Sequence, residues 1–238
     1  LRVDFSIRSW AAWAPGLATA EAWRAWAAGP ALPPLGEEAP ALTEVPPLAR
    51  RRVERSGRAA FQAAAWCQGE AAGLPLVFAS RHGAVCRSVE LLTELARGEP
   101  LSPAGFALSV HNAVCAQYSI VRGERGNVSA VANGRFTVEA AVVEAVAQLL
   151  EAPRVLLVAY DGAGPPLYAR FRDEPDADFA FAWLLEAGGE YALESCEVAP
   201  SPSDALPHAL EVLRFALGAE ASLTRADELA GWRWSRGG

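Results

Sequence analysis

From Val3 to Ile7 apolar and polar side chains alternate, the period of two expected of a strand with one buried face. Thr19 stands where an N-cap belongs, ahead of a helix over Ala20–Ala28 that carries Trp23 and Trp26 on one face. Between Gly29 and Pro47 there are six prolines and no period, so an extended surface loop is expected there, not a linker between domains. Helical spacing returns from Ser56 to Ala72 and gives way to a short buried strand at Leu76–Ser80. It returns again over Ser88–Arg97, an amphipathic helix closed by Gly98. A further helix is expected from about Asn112 to Val121, ending at Arg122-Gly123.

The next unit sets the architecture. Val128–Ala132 reads as a strand, Asn133-Gly134 as a tight turn, Phe136–Leu150 as a long apolar helix and Val155–Tyr160 as a strand buried on both faces. That succession predicts a right-handed βαβ crossover between parallel strands. Beyond it, Asp178–Leu185 and Tyr191–Val198 are expected to form an antiparallel pair around Gly188-Gly189, and Asp204–Leu217 a last helix. The tail Trp232-Arg233-Trp234 is either docked on the body or a partner contact. The fold class is α/β, layered, with residues 1–238 forming one domain.

Composition narrows the function. The 238 residues are 52% apolar, enough to build a core without disulfides or a structural metal. All 21 basic residues are Arg, and Lys and Met are both absent, a bias of the kind a GC-rich genome produces. A net charge of -7 disfavours nucleic acid and anionic membrane surfaces as partners. Arg50-Arg51-Arg52 is therefore read as a solvated face or a protein contact. The strongest apolar run, Val155–Tyr160, is far shorter than the roughly 20 residues of a spanning helix, and Asp4 interrupts the start where a signal peptide would be apolar. A cytoplasmic location is expected, which leaves Asn127-Val128-Ser129 without meaning as a glycosylation acceptor. Cys67, Cys86, Cys115 and Cys196 form no CxxC pair and sit in apolar stretches, so they read as small buried thiols and no metal or other cofactor is expected.

A strand that enters a Gly turn and leaves as a helix has the geometry of a nucleophile elbow. Here the turn is Asn133-Gly134-Arg135-Phe136, with no Ser or Cys at its tip, and Arg stays protonated at any ordinary pH. The stretch Phe78-Ala79-Ser80-Arg81-His82-Gly83, the segment from Leu101-Ser102-Pro103 through Ser109-Val110-His111-Asn112-Ala113, and then Gly123, Gly126 and the βαβ unit resemble the N-terminal half of β-ketoacyl synthases. Asn112, Gly126 and Val158-Ala159 fall on that pattern without a gap, and the similarity runs from about Val3 to Val198. The resemblance implies a thiolase-like layered half-fold, and it puts Arg135 where the family has its nucleophilic Cys.

Two departures carry weight. The resemblance calls for two catalytic His in a second half that this chain does not contain, and the only His after the elbow, His208, reads as an ordinary helix-start residue. His82 and His111 precede the elbow and match no catalytic His. A short ketosynthase-like chain with its nucleophile replaced is similar to the chain length factors, inactive subunits that pair with a catalytic ketosynthase. Short members of that group accompany systems making aryl polyene or xanthomonadin-type pigments.

The resemblance implies a heterodimer, or a pair of heterodimers, with an acyl carrier protein reached through the catalytic partner. A mid-chain strand over Asn127, Val128, Ser129, Ala130 and Val131 can pair edge to edge with a second subunit. In the ketosynthase arrangement Gly105–His111 would project towards the partner's acyl tunnel, making Phe106, Leu108, Val110 and His111 candidates for its wall, or else plain core residues of this subunit. Arg135 either forms a structural ion pair, with Glu139 or an acid of the partner, or binds an anion. Two other functions stay open: a small acyltransferase or thioesterase using Cys115 or Cys86 with His111 or His82, and a homodimeric carrier of acyl chains.

Overall fold

A computed structural model describes residues 1–201 and 205–237. Strand β1 (Arg2–Trp13) leads to helix α1 (Ala20–Ala27), whose Ala22 N–H is capped by Thr19 Oγ1 at 3.2 Å. A single turn α2 (Pro47–Arg50) and helix α3 (Arg55–Gln68) precede β2 (Leu76–Ala79). Then come α4 (Val85–Ala96), α5 (Pro103–Ala107), α6 (Ala113–Arg122), β3 (Val128–Val131), α7 (Thr137–Gln148) and β4 (Arg154–Asp161). A 3-10 turn (Pro166–Phe171), β5 (Phe179–Ser195), α8 (His208–Leu217), β6 (Ser222–Ala226) and β7 (Gly231–Arg236) complete the chain.

The seven strands form one mixed sheet in the order β3-β2-β4-β5-β7-β6, with β1 also paired to β5. Strands β2, β3 and β4 are parallel, and the β3-α7-β4 crossover passes over β2, which lies between its two strands. The buried strands sort their side chains by a period of two. Val155, Leu157 and Ala159 of β4 face a core completed by α1, α7 and α8, including Trp23, Val138, Val142 and Phe215. Leu156, Val158 and Tyr160 face the other core, closed by α3 and α6 through Phe61, Val114 and Tyr118. Both faces of β4 are thus covered by helices, which is why its sequence is a continuous apolar run.

Several expectations need correcting. Gly188-Gly189 does not reverse the chain, since β5 runs straight through from Phe179 to Ser195. Strand β1 pairs with both of its halves, Phe5 with Tyr191 and Ser6 with Glu186, leaving Ala187–Glu190 as a bulge. The glycines permit that bulge: a Cβ at Gly188 would lie 2.0 Å from Ser6 Oγ. The antiparallel partners of β5 are β1, β4 and β7, because two long strands offer more pairing than a local hairpin. The last helix begins at His208, after Leu206-Pro207, and the expected start at Asp204 lies outside the described residues. The helix expected to reach Ala72 stops at Gln68, where Gly69 takes a positive φ of 58°. The aromatic tail is docked: it is β7, paired to β5 and β6, with Trp234 buried against Phe5, Trp183 and Phe215.

Trp234 joins one core from the last strand of the sheet, and Trp234→Ala is expected to lower stability by about 3–5 kcal/mol. An unchanged urea midpoint in equilibrium denaturation would show that β7 is not part of that core.

Candidate functional site

The elbow forms as the turn chemistry predicts. Gly134 holds a φ of +56°, Asn133 N–H donates to Thr137 Oγ1 at 2.9 Å, and that hydroxyl donates to the Gly134 carbonyl at 2.7 Å. Phe136 is buried and meets the His208 ring edge to face, with centroids 5.1 Å apart. Arg135 does not pair with Glu139. Its Nε lies 3.5 Å from Glu174 Oε1 and its Nη2 donates to the Asp173 carbonyl at 3.3 Å, with its side chain 12% exposed. A structural ion pair therefore holds Arg135, with a partner from the segment between β4 and β5.

Glu139 points elsewhere because the helix turns it into the core. Fully buried, its Oε1 accepts from His208 Nε2 at 2.7 Å and from Trp234 Nε1 at 2.8 Å. His208 is the first residue of α8, as expected, yet it is more than an ordinary helix start: its Nδ1 also faces Glu211 Oε2 at 3.3 Å. Arg225 closes the group with two hydrogen bonds to Glu211, at 3.0 and 3.1 Å. Burial alone would lower the His208 pKa, but the two carboxylates outweigh it and hold the imidazolium up at about 9.

A second polar cluster was not read from the sequence. Asp161, at the end of β4, accepts from Ser80 Oγ at 2.8 Å, Arg81 N–H at 2.9 Å and His82 N–H at 3.1 Å. Burial pushes its carboxyl upward while these donors pull it down, and the net direction is up. The turn it organises is tight: Gly83 has a φ of +53°, and a Cβ there would lie 2.7 Å from His111 Cδ2. His111 is anchored in turn by its Nε2–H donating to the Ser80 carbonyl at 2.7 Å. The only sequence signal for this cluster was an aspartate ending an otherwise apolar strand.

Over the C-terminal ends of β2 and β4, where open α/β sheets carry their crevices, lies a cavity of about 390 Å³. Ala79, Ala159 and Val138 line it, with Arg135 and Gly134 at the elbow and Phe171 on the segment that crosses it. His82 reaches it too; none of the four cysteines lines it. Cys115 Sγ donates to the Asn112 carbonyl at 3.3 Å while His111 is turned to Ser80, so the two do not form a nucleophile and base. Burial pushes the Cys67 and Cys115 thiols up to about 11, and it also raises Cys86, which makes all three poor nucleophiles.

The remaining sequence candidates lie away from the cavity. Helices α4 and α5 pack on each other, and neither contains a buried residue. Phe106 is 64% exposed and Val110 43%, while Leu108 and His111 are half-buried, so none of the four is a core residue of this chain. Strand β3 ends the sheet, paired only to β2 among the described strands, with Val128 41% exposed. Asn127 is exposed beside it, Ala130 and Val131 are half-buried, and Ser129 Oγ donates to Glu144. Arg51 and Arg52 are exposed, and Arg50 bonds the Ala41 and Leu42 carbonyls, so the arginine triplet is partly a solvated face and partly a loop anchor.

Comparison with known proteins agrees with this geometry. The family model described as β-ketoacyl synthase, N-terminal domain, matches residues 23–235. The chain is similar to a chain in the solved complex of the ketosynthase ApeO with its chain length factor ApeC from Xenorhabdus doucetiae. The identity is 29% and the TM-score 0.86, over 98% of this chain and 100% of that one. The ishigamide ketosynthase/chain length factor shares the fold at 15% identity and a TM-score of 0.63, covering 82% of this chain and 67% of that one. A β-ketoacyl synthase from Burkholderia phymatum shares it at 14% identity and 0.61, covering 78% and 59%. No curated protein matches the chain by sequence. Among the described residues no helix is long and apolar enough to cross a membrane.

The His208 cluster has a pH signature. A folded pKa of about 9 against an ordinary 6.5 stabilises the fold fully below pH 6.5, and that contribution is lost as the pH rises through about 9. The denaturation midpoint is expected to fall between pH 7 and pH 10, and to fall less in His208→Asn. Equal pH dependence in the two proteins would mean that His208 is not the group responsible.

Proposed function

Because the chain belongs to the β-ketoacyl synthase N-terminal domain family, we propose that it is a non-catalytic chain length factor: a subunit that pairs with a catalytic ketosynthase and limits acyl chain growth. The observation that carries this reading is the end-to-end likeness to a chain in a ketosynthase–chain length factor complex. The elbow supports it chemically. In this reading Arg135 occupies the nucleophile position, and a guanidinium held between Glu174 and the Asp173 carbonyl can neither attack a thioester nor give up a proton.

The partner surface follows from what is left uncovered. An edge strand with free backbone donors and acceptors is a template for another strand, and β3 is such an edge. Helices of 12 and 5 residues that bury nothing gain little from propensity alone, so the apolar faces of α4 and α5 call for a second protein. From that arm Phe106, Leu108, Val110 and His111 would close the partner's tunnel. The mechanism is steric: a chain that already meets Phe106 can add another unit only by overpacking, at a cost of about 1–3 kcal/mol or more. The carrier protein would dock on the catalytic partner, and the complex would work in the cytoplasm.

Coexpression with a ketosynthase from the same genome, followed by size-exclusion chromatography with light scattering, is expected to give a stable one-to-one or two-to-two complex. Val128→Asp would place a charge on the pairing edge and weaken that complex at least tenfold, about 1.4 kcal/mol. Phe106→Ala would leave the complex intact and lengthen its products, read by mass spectrometry of the released acyl chains. Separate elution of the two proteins would remove the basis for the role, and unchanged product length in Phe106→Ala would take Phe106 out of the tunnel wall.

A further inference from the structure

The segment joining β4 to β5 crosses the mouth of the elbow cavity in an unusual manner. Pro165 and Ala177 are buried posts, while every residue from Pro166 to Asp173 is exposed. Leu167, Tyr168 and Phe171 lie on its 3-10 turn, and Phe171 and Tyr168 line the cavity. With no buried apolar side chain between the posts, hydrophobic burial does not hold this strap down.

Charge does, and it converges on one carboxylate. Glu174 Oε2 lies 3.0 Å from Arg81 Nη1 and its Oε1 3.5 Å from Arg135 Nε. The same Oε1 accepts the His208 N–H at 3.4 Å. Glu174 thereby ties the strap to the turn after β2, to the elbow and to the start of α8. Arg81 adds a second bond, to Asp173, and Arg135 a third, to the Asp173 carbonyl. Glu174 and both arginines are mostly buried, so solvent screens these pairs far less than surface ones.

The geometry points to a latched lid: residues 166–176 close the cavity at the elbow, and Glu174 is the latch. The hinges are the ends of the strap. Gly164 has open space around its Cα, whereas Asp178 and Asp176 hold the neighbouring N–H groups of Ala163 and Gly164. The space beneath the strap suits an uncharged, apolar guest. Arg81, Arg135 and Arg172 already face Asp173, Glu174 and Asp176, so an anion would have to displace a bound carboxylate to gain a guanidinium. The lid acts on this chain alone and does not depend on which protein it pairs with.

The test is thiol access. Val138, buried on α7 and lining the cavity, is replaced by Val138→Cys in the full chain. Its alkylation by N-ethylmaleimide is followed by peptide mass spectrometry, which separates it from the four native cysteines. With Glu174 in place the introduced thiol is expected to react at least a hundredfold more slowly than in urea. Glu174→Gln is expected to speed it at least tenfold, with faster amide hydrogen exchange over residues 166–176. Asp173→Asn, at a side chain that is half exposed and outside both cores, is expected to give a smaller gain and keeps the test open if the first variant does not fold. Equal rates with and without the Glu174 carboxylate would overturn the latch, and a fast reaction with both carboxylates in place would mean that the cavity is already open.

Discussion

A carboxylate with no exposure to water must find its counter-charge within the fold, and Glu139 finds it in His208, with Trp234 donating a further hydrogen bond. Those two groups come from α8 and β7, far along the sequence from Glu139, which sits in the first turn of the elbow helix. One side chain thus fixes how the C-terminal hairpin and helix lie against the elbow. The consequence passes outward: once α8 starts where His208 requires, its backbone N–H is in place for Glu174, and Glu174 sets Arg135 and Arg81. Among the described residues, the link between the Glu139 group and the Glu174 group is the single hydrogen bond from His208 N–H to Glu174. Glu139 keeps one oxygen without a hydrogen bond among the described residues, so the arrangement is not a saturated one.

The chemistry of the elbow follows from that ordering. A helix start with a glycine turn and a cavity in front of it is a suitable place for a nucleophile, and the backbone is still folded for one. At this turn the Arg135 guanidinium braces the segment between β4 and β5, through Glu174 and the Asp173 carbonyl. Cys67 and Cys115 are buried in apolar surroundings that raise their pKa values, whereas Cys86 and Cys196 are only partly buried. In a chain of the ketosynthase family, the turn ahead of α7 thus carries an ionic strut between Arg135 and Glu174.

The fold was legible in the sequence wherever one interaction dominated. Alternation along Val3–Ile7 and the apolar run Val155–Tyr160 report burial directly, and both strands are present, as is the elbow helix between β3 and β4. Legibility failed where a distant partner decided the outcome. Gly188-Gly189 carries a hairpin's local signal, but β1, nearly two hundred residues away in sequence, pairs on both sides of it. Trp232 and Trp234 alternate as a strand should, yet in so short a segment only the presence of β5 and β6 turns them into one. At the site, an ion pair was one of the readings open for Arg135, but its partner could not be read locally. Glu139, one helical turn away, was the obvious local choice, whereas Glu174 becomes adjacent only after β4 and the strap are built. Asp161 was overlooked because the donors it gathers, at Ser80 to His82, are about eighty residues away.

The arm of α4 and α5 also bears on how the protein is made. A helical pair that buries none of its own side chains leaves the ribosome with Leu92, Leu95 and Phe106 facing water, alongside an open strand edge. For such a chain the hazardous quantity is the excess over whatever covers these surfaces, since uncovered copies find one another at a rate that grows with the square of their concentration. Dosage is therefore a structural matter here: a cell that makes this subunit has reason to match its synthesis to demand and to remove the surplus.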